Sequence, residues 1–137
     1  VRSFFDTNVL VYLFDADSPE KQARSRQLLA EEVMLGRAGL STQVLQEFYV
    51  AVTRKLAVPL DPDTASRAVH DLAELPLVQV DRELIFRAMS RCRDGTFSFW
   101  DALIVEAALV WGAEVLYSED LQHGRQVEHL RIENPFG

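Results

Sequence analysis

A strand that runs into a helix through a polar break constrains this chain more than any other stretch. Arg2-Ser3-Phe4-Phe5 holds a short apolar run, Asp6-Thr7-Asn8 interrupts it, and Val9-Leu10-Val11-Tyr12-Leu13-Phe14 is apolar again. About four apolar residues bounded by polar ones suit a buried strand. The second run suits a buried helix, and Asp, Thr and Asn are the residue types that cap helix N-termini. The reading is strand, turn, helix, with Asp6 at the carboxyl end of the strand. In open parallel sheets that edge is where ligands bind. Taken alone, Asp6 is better read as a helix cap, and a chemical role requires other carboxylates at the same edge.

The rest of the chain repeats the unit. Asp15 to Pro19 breaks the pattern, and Pro19 suits the first turn of a helix over 20–35. Gly36 and Gly39 close it, and Ala38-Gly39-Leu40-Ser41 reads as a second strand. Ser41-Thr42 caps a helix over 43–57 whose apolar members Val44, Leu45, Phe48, Val52 and Leu56 form one stripe. Asp61 to Thr64 starts another helix that runs to about Leu75, before Pro76. Leu77-Val78-Gln79-Val80 reads as a third strand, Asp81 caps a helix over 82–93, and Asp94-Gly95 marks a turn. Ser98 opens a helix to Trp111, stopped by Gly112; Glu114-Val115-Leu116-Tyr117 and Arg131-Ile132-Glu133 complete five strands. Strands alternating with helices imply right-handed crossovers and a parallel sheet covered on both faces. No repeat, low-complexity segment or linker divides residues 1–137, so one domain is expected.

Composition narrows the function classes. The net charge of -7 argues against a simple nucleic-acid binder, which relies on basic surface. It permits an acidic metal site or a basic partner. The only lysines are Lys21 and Lys55, and a single cysteine, Cys92, rules out an internal disulfide. No apolar stretch approaches the ~18 residues of a membrane span. The first strand begins at once, so no signal peptide is expected, and the lone cysteine fits a reducing cytoplasm.

Four carboxylates carry the chemical signal. Asp6 follows the first strand and Asp120 the fourth, which places both at one sheet edge. Glu47 lies three residues after Val44 and four before Ala51, on the buried side of its helix. Asp101 lies three before Ile104 and four before Val105, again on an apolar face. Each has an ordinary explanation: Ser98 and Asp101 make a capping-box variant, Asp120 suits a turn, and Glu47 is long enough to reach solvent. Their conjunction is harder to explain that way, because a carboxylate on an apolar stripe is costly and neighbouring carboxylates repel. A divalent cation removes that penalty. Oxygen-only ligands with no nearby His or Cys favour Mg²⁺ or Mn²⁺ over Zn²⁺, and such sites commonly act on phosphate. His70, His123 and His129 show no metal-ligand spacing.

Phe5-Asp6-Thr7-Asn8-Val9-Leu10, Gln46-Glu47-Phe48, Phe99-Trp100-Asp101-Ala102-Leu103-Ile104 and Tyr117-Ser118-Glu119-Asp120-Leu121 resemble, in order, the four acidic motifs of PIN-domain nucleases. The resemblance is strongest to the VapC-like toxin branch of type II toxin–antitoxin systems and covers essentially the whole chain. It implies an α/β fold, a three-layer α/β/α sandwich around a five-stranded parallel sheet. It also implies metal-dependent endoribonuclease activity on RNA, a homodimer, and a cognate antitoxin that blocks the site. Carried over, Asp6, Glu47, Asp101 and Asp120 are the catalytic acids. Asp6 and Asp101 would be direct ligands of Mg²⁺ (or Mn²⁺) and Asp120 a ligand or its support. Glu47 would orient the attacking water or bind a second ion. Thr7, Asn8 and Ser118 would hydrogen-bond these acids.

RNA needs positive potential that the chain lacks overall. Arg91 and Arg93, upstream of Asp101, and Arg54 and Lys55, beyond Glu47, are candidate RNA contacts that read equally as solvated helix faces. Trp100 suits base stacking or packing. Two rival readings remain. In Leu13-Phe14-Asp15-Ala16-Asp17-Ser18 the pair Asp15 and Asp17 follows an apolar run as in haloacid-dehalogenase-like phosphatases, although this makes Val9 to Phe14 a strand and leaves Asp6 without a role. The other is a non-catalytic module of the same fold, which would show no metal-dependent gain in melting temperature.

Overall fold

The computed structural model describes residues 1–137. The N-terminal unit has the expected form. β1 (Ser3–Phe5) is buried along its whole length, as a central parallel strand must be. Asp6 then caps α1 (Thr7–Val11), accepting from the Thr7 N–H. The helix begins two residues earlier than the apolar run suggests, and at Tyr12–Phe14 it tightens into a 3₁₀ turn. α2 (Pro19–Met34) leads to β2 (Ala38–Ser41), and Ser41 caps α3 (Thr42–Arg54) by accepting from the Val44 N–H. α4 (Pro62–Leu72) is capped by Asp61 and α5 (Arg82–Arg91) by Asp81, on either side of β3 (Leu77–Val78). α6 (Phe99–Trp111) follows, capped by Ser98, and then β4 (Val115–Tyr117).

β3 covers only Leu77–Val78, not the four residues expected. The Val80 N–H turns away from the ladder and donates to Thr42 Oγ1 at 3.1 Å. The sheet also has six strands rather than five, in the order β3-β2-β1-β4-β6-β5. The additional strand is β5 (Gln126–Val127), which pairs antiparallel with β6 (Leu130–Glu133). Glu128 turns this hairpin with a left-handed φ of 53°. Every other pairing is parallel. The α/β/α architecture holds, with one antiparallel edge.

The core is continuous from sheet to helices. Phe4, Phe5, Leu40, Leu116 and Ile132 from the strands meet Val44, Phe48 and Ile104 from α3 and α6, all essentially inaccessible to water. Burying each such side chain contributes roughly 1.5–3 kcal/mol. α6 is buried continuously from Ala102 to Ala108, which fixes the height of its first turn, and so of Asp101, against the sheet. Gly39 lets α6 approach β2: a Cβ there would stand 2.5 Å from the Trp111 ring.

Candidate active site

All four acids line one open cleft of about 710 Å³ at the carboxyl edge of the sheet, together with Thr7, Asn8, Tyr12, Lys55 and Glu119. β1 delivers Asp6. Its N–H donates to the Tyr117 carbonyl at 3.0 Å, extending the β1–β4 pairing to the last residue before the helix. Its Oδ1 accepts from the Thr7 N–H at 2.7 Å, and its Oδ2 accepts from Ser118 Oγ at 2.8 Å and Asn8 Nδ2 at 3.3 Å. The capping and site readings of Asp6 are therefore compatible. Oδ1 holds the helix start, while the carboxylate as a whole faces the cleft at 7% exposure.

Thr7, Asn8 and Ser118 lie where the sequence put them, among the acids. Thr7 Oγ1 donates to Glu47 Oε1 at 2.7 Å, joining α1 to α3. Asn8 Nδ2 donates to Asp120 Oδ2 at 3.1 Å, and Asn8 Oδ1 accepts from the Glu119 N–H at 3.0 Å. Ser118 is fully buried, and its Oγ also accepts from the Leu121 N–H at 3.3 Å. The loop after β4 is thus tied to the start of α1. Asp101 sits in the first turn of α6, its own N–H donating to Ser98 Oγ at 3.1 Å. Both the capping and cleft readings hold here too.

Electrostatics record the crowding. Burial, first, pushes the Asp6 carboxyl from 3.8 up to about 6; hydrogen bonds from Ser118 and Thr7 oppose this, and the negative charges of Glu47 and Asp101 add to it. Asp101 is also raised, by burial first and then by Asp120 and Glu47, against the Ser98 hydrogen bond. Asp6 thus feels Glu47 and Asp101, and Asp101 feels Asp120 and Glu47, so negative charge accumulates in the site.

The basic residues fare differently. Lys55 reaches the cleft wall, but Arg54, Arg91 and Arg93 do not line it. Arg91 is occupied elsewhere: its Nε donates to the buried Glu106 at 3.1 Å and its Nη2 to Glu128 at 2.6 Å. Sequence proximity to Asp101 misplaced it, because α5 and the 3₁₀ turn at Cys92–Asp94 carry it toward the β5–β6 hairpin. Arg54 and Arg93 are exposed. Trp100 is 62% exposed and meets Phe99 edge-on at 5.1 Å. The phosphatase reading fails on structure. Val9 to Phe14 is helical, not a strand, and Asp15 accepts from the Asp17 N–H in a local turn.

Four participants escaped the sequence reading. Glu119 lines the cleft and is held by Lys21 Nζ and by Tyr12 OH. Gln43 Nε2 donates to Glu47 Oε2 at 3.2 Å. Gln43 and Glu47 are four apart on one helix, a spacing at which side chains meet, and that was the available signal. Lys21, Tyr12 and Glu119 come from three separate elements, and no local pattern joins them.

Residues 3–127 match the family model of the PIN domain. The chain belongs to the PIN domain family. Solved structures of similar fold include a toxin–antitoxin complex from Klebsiella pneumoniae, at 17% identity over 97% of each chain and a TM-score of 0.71. The DNA-bound VapBC complex of Salmonella typhimurium is similar at 19% identity over 98% of each chain, with a TM-score of 0.68. The Mycobacterium tuberculosis toxin VapC20, described as cleaving the sarcin–ricin loop, is similar at 20% identity over 86% of this chain and 89% of its own, with a TM-score of 0.61. No curated protein sequence matches the chain, and no helix is long and apolar enough to cross a membrane.

The donor set of the PIN cleft decides which divalent cation it suits. No three acidic, histidine or cysteine side chains converge tightly enough to enclose an ion, so this is not a closed cage of the zinc type. Asp6, Asp101 and Asp120 share the open cleft, with Asn8 bridging Asp6 to Asp120 and Ser118 holding Asp6. Mg²⁺ makes a different demand: it keeps several waters and takes one or two carboxylates plus a substrate phosphate. Oxygen donors only, two raised carboxyl groups and an open cleft fit that requirement.

Proposed function

We propose that this PIN domain is a metal-dependent endoribonuclease and the toxin of a toxin–antitoxin pair. One observation carries the reading: acids from four separate units, Asp6, Glu47, Asp101 and Asp120, line one cleft, and burial there, with the neighbouring charges, raises the charging cost of Asp6 and Asp101. A fold can bury a carboxylate as a cap, but stability alone gives no reason to gather four. Asp6 and Asp101 would hold Mg²⁺ or Mn²⁺, with Asp120 as a further ligand or its support. When bound, the ion supplies Lewis acidity toward a phosphodiester oxygen and neutralises charge there.

The chain's own residues do the rest. Ser118 and Thr7 fix the plane of the Asp6 carboxylate through both of its oxygens. Asn8 joins Asp6 to Asp120 and so sets the height of the loop after β4. Glu47, gripped by Thr7 and Gln43, is placed to accept a hydrogen bond from the attacking water and turn its lone pair to phosphorus. As the new bond forms the opposite P–O bond breaks: the water's proton passes to Glu47, and the departing sugar oxygen takes a proton from solvent. Lys55 on the cleft wall meets the RNA backbone as a point charge. Several structural relatives are toxin–antitoxin complexes, which supports a cognate antitoxin; the homodimer that the motif resemblance implies is proposed with it.

The test is incubation of purified protein with a mixed RNA pool and Mn²⁺, against a chelator control. Wild type cleaves only with the ion. Asp101→Asn folds, by circular dichroism, yet does not cleave. Undiminished cleavage by Asp6→Asn and Asp101→Asn, or full cleavage in chelator, refutes the assignment. Phosphate release from small monoesters with RNA left intact points to another chemistry.

A further inference from the structure

We infer that Gln43 is a positioning residue for Glu47, fixing it relative to the helix that carries Asp101. The inference deepens the nuclease reading and rests on it. Gln43 is 4% exposed and sits one helical turn before Glu47. Its Nε2 donates to Glu47 Oε2 at 3.2 Å and to the Trp100 carbonyl at 3.2 Å. Both partners are acceptors, so the amide has one orientation: turned over, its oxygen would face a carboxylate and a carbonyl.

That orientation leaves Gln43 Oε1 buried with no partner. An orphaned oxygen in the interior weakens a fold, and a methionine would fill the space without it. What the glutamine adds is the pair of N–H groups. One holds Glu47 while Thr7 Oγ1 holds the opposite carboxylate oxygen at 2.7 Å, so Glu47 is gripped from both sides. The other reaches the backbone of Trp100, the residue before Asp101. A single amide therefore sets the spacing between α3 and the first turn of α6, the two elements that bring Glu47 and Asp101 to the cleft.

The decisive variant is Gln43→Met, which keeps length and removes both donors. Under Mn²⁺, kcat on RNA falls about 10- to 100-fold, the scale for losing a supporting hydrogen bond of this kind. KM for RNA and the Mn²⁺-induced rise in melting temperature stay at wild-type values, and the variant melts no lower than wild type. In a Glu47→Gln background the same substitution costs nothing further. Independently of activity, the Gln43 side-chain N–H resonances of the ion-free protein exchange slowly with solvent and move when Glu47→Gln is introduced. Unchanged kcat, a full kcat loss persisting in the Glu47→Gln background, a variant that melts well below wild type, or freely exchanging amide protons each overturns the inference. If wild type cleaves no RNA, the nuclease reading fails by itself, and the amide exchange still decides whether Gln43 grips Glu47.

Discussion

Asp6→Asn separates the electrostatic cost of the site from its packing. Asp6 is nearly inaccessible, and its carboxyl is pushed from 3.8 up to about 6 by burial and then by Glu47 and Asp101, net of the Ser118 and Thr7 hydrogen bonds. Between those two values the unfolded chain has lost this proton while the folded one keeps it. The folded state then binds more protons, so stability falls as pH rises through the window and stays reduced above it. About two pH units at 1.36 kcal/mol each give a penalty of about 3 kcal/mol at neutral pH. Asparagine cannot ionise and removes it. The replacement also has one acceptor oxygen where Asp6 receives from Thr7, Ser118 and Asn8, and the mismatch costs about 1 kcal/mol. Net, the variant is more stable by about 2 kcal/mol near pH 7.5, or roughly 6 °C for a chain of this size. Near pH 4.5 only about 1 kcal/mol of the penalty remains, and the two proteins melt together. The assay is thermal unfolding of both at the two pH values in chelator, then with Mn²⁺, which raises the wild-type melting temperature and leaves the variant unmoved. A variant destabilised equally at both pH values would show that Asp6 is a structural cap and nothing more.

Three further outcomes are expected. Lys55→Ala raises KM for RNA and lowers the salt dependence of binding by about one phosphate contact; an unchanged slope places Lys55 off the RNA path. Arg91→Met leaves the buried Glu106 without its partner and costs about 2 kcal/mol in urea unfolding, with kcat untouched; a selective loss of RNA cleavage would return Arg91 to the site. Gly39→Ala drives a methyl into the Trp111 ring and costs about 1–3 kcal/mol, most of it restored when Trp111→Leu is added. An unrestored loss would mean that close approach is not why position 39 lacks a side chain.

The βα units were legible because each strand is a short apolar run ending at a capping residue. Asp6, Ser41, Asp61, Asp81 and Ser98 all accept from a helix N-terminal N–H, so element starts follow from local chemistry. The acids were legible for a similar reason: Asp6, Glu47 and Asp120 lie within a turn or two of a strand end, and Asp101 lies in the first turn of its helix. What stayed hidden depends on tertiary placement. β5 is two residues long, and its Glu128-His129 turn lacks the Asn-Gly or Asp-Gly signal of a tight hairpin. Arg91 looked available because Asp101 is ten positions on, and only packing of α5 against α6 reveals Glu106 beside it. From sequence, Gln43 is only the first residue of an expected helix. Its role appears once the Trp100 carbonyl is seen to stand across from it.

The chain's acidity and its proposed substrate are reconciled by where the positive charges are occupied. Lys21 is engaged by Glu119 and Tyr12 and lies over the Tyr12 and Phe136 rings at 5.0 and 5.5 Å. Arg91 is engaged by Glu106 and Glu128, and Arg37 by Glu32. Among residues lining the cleft, Lys55 is the cation left to face a phosphate. A surface with one free charge at its acidic centre does not attract RNA on its own. Under the nuclease reading, the charge that makes the cleft hospitable to phosphate is the same charge that makes it tolerable to Asp6 and Asp101: a divalent ion relieves carboxylates raised by burial and by their neighbours, and turns the sign of the local field. Substrate binding and relief of the folded state's electrostatic cost are then two consequences of one event, and the open, water-accessible cleft lets that event occur after folding is complete.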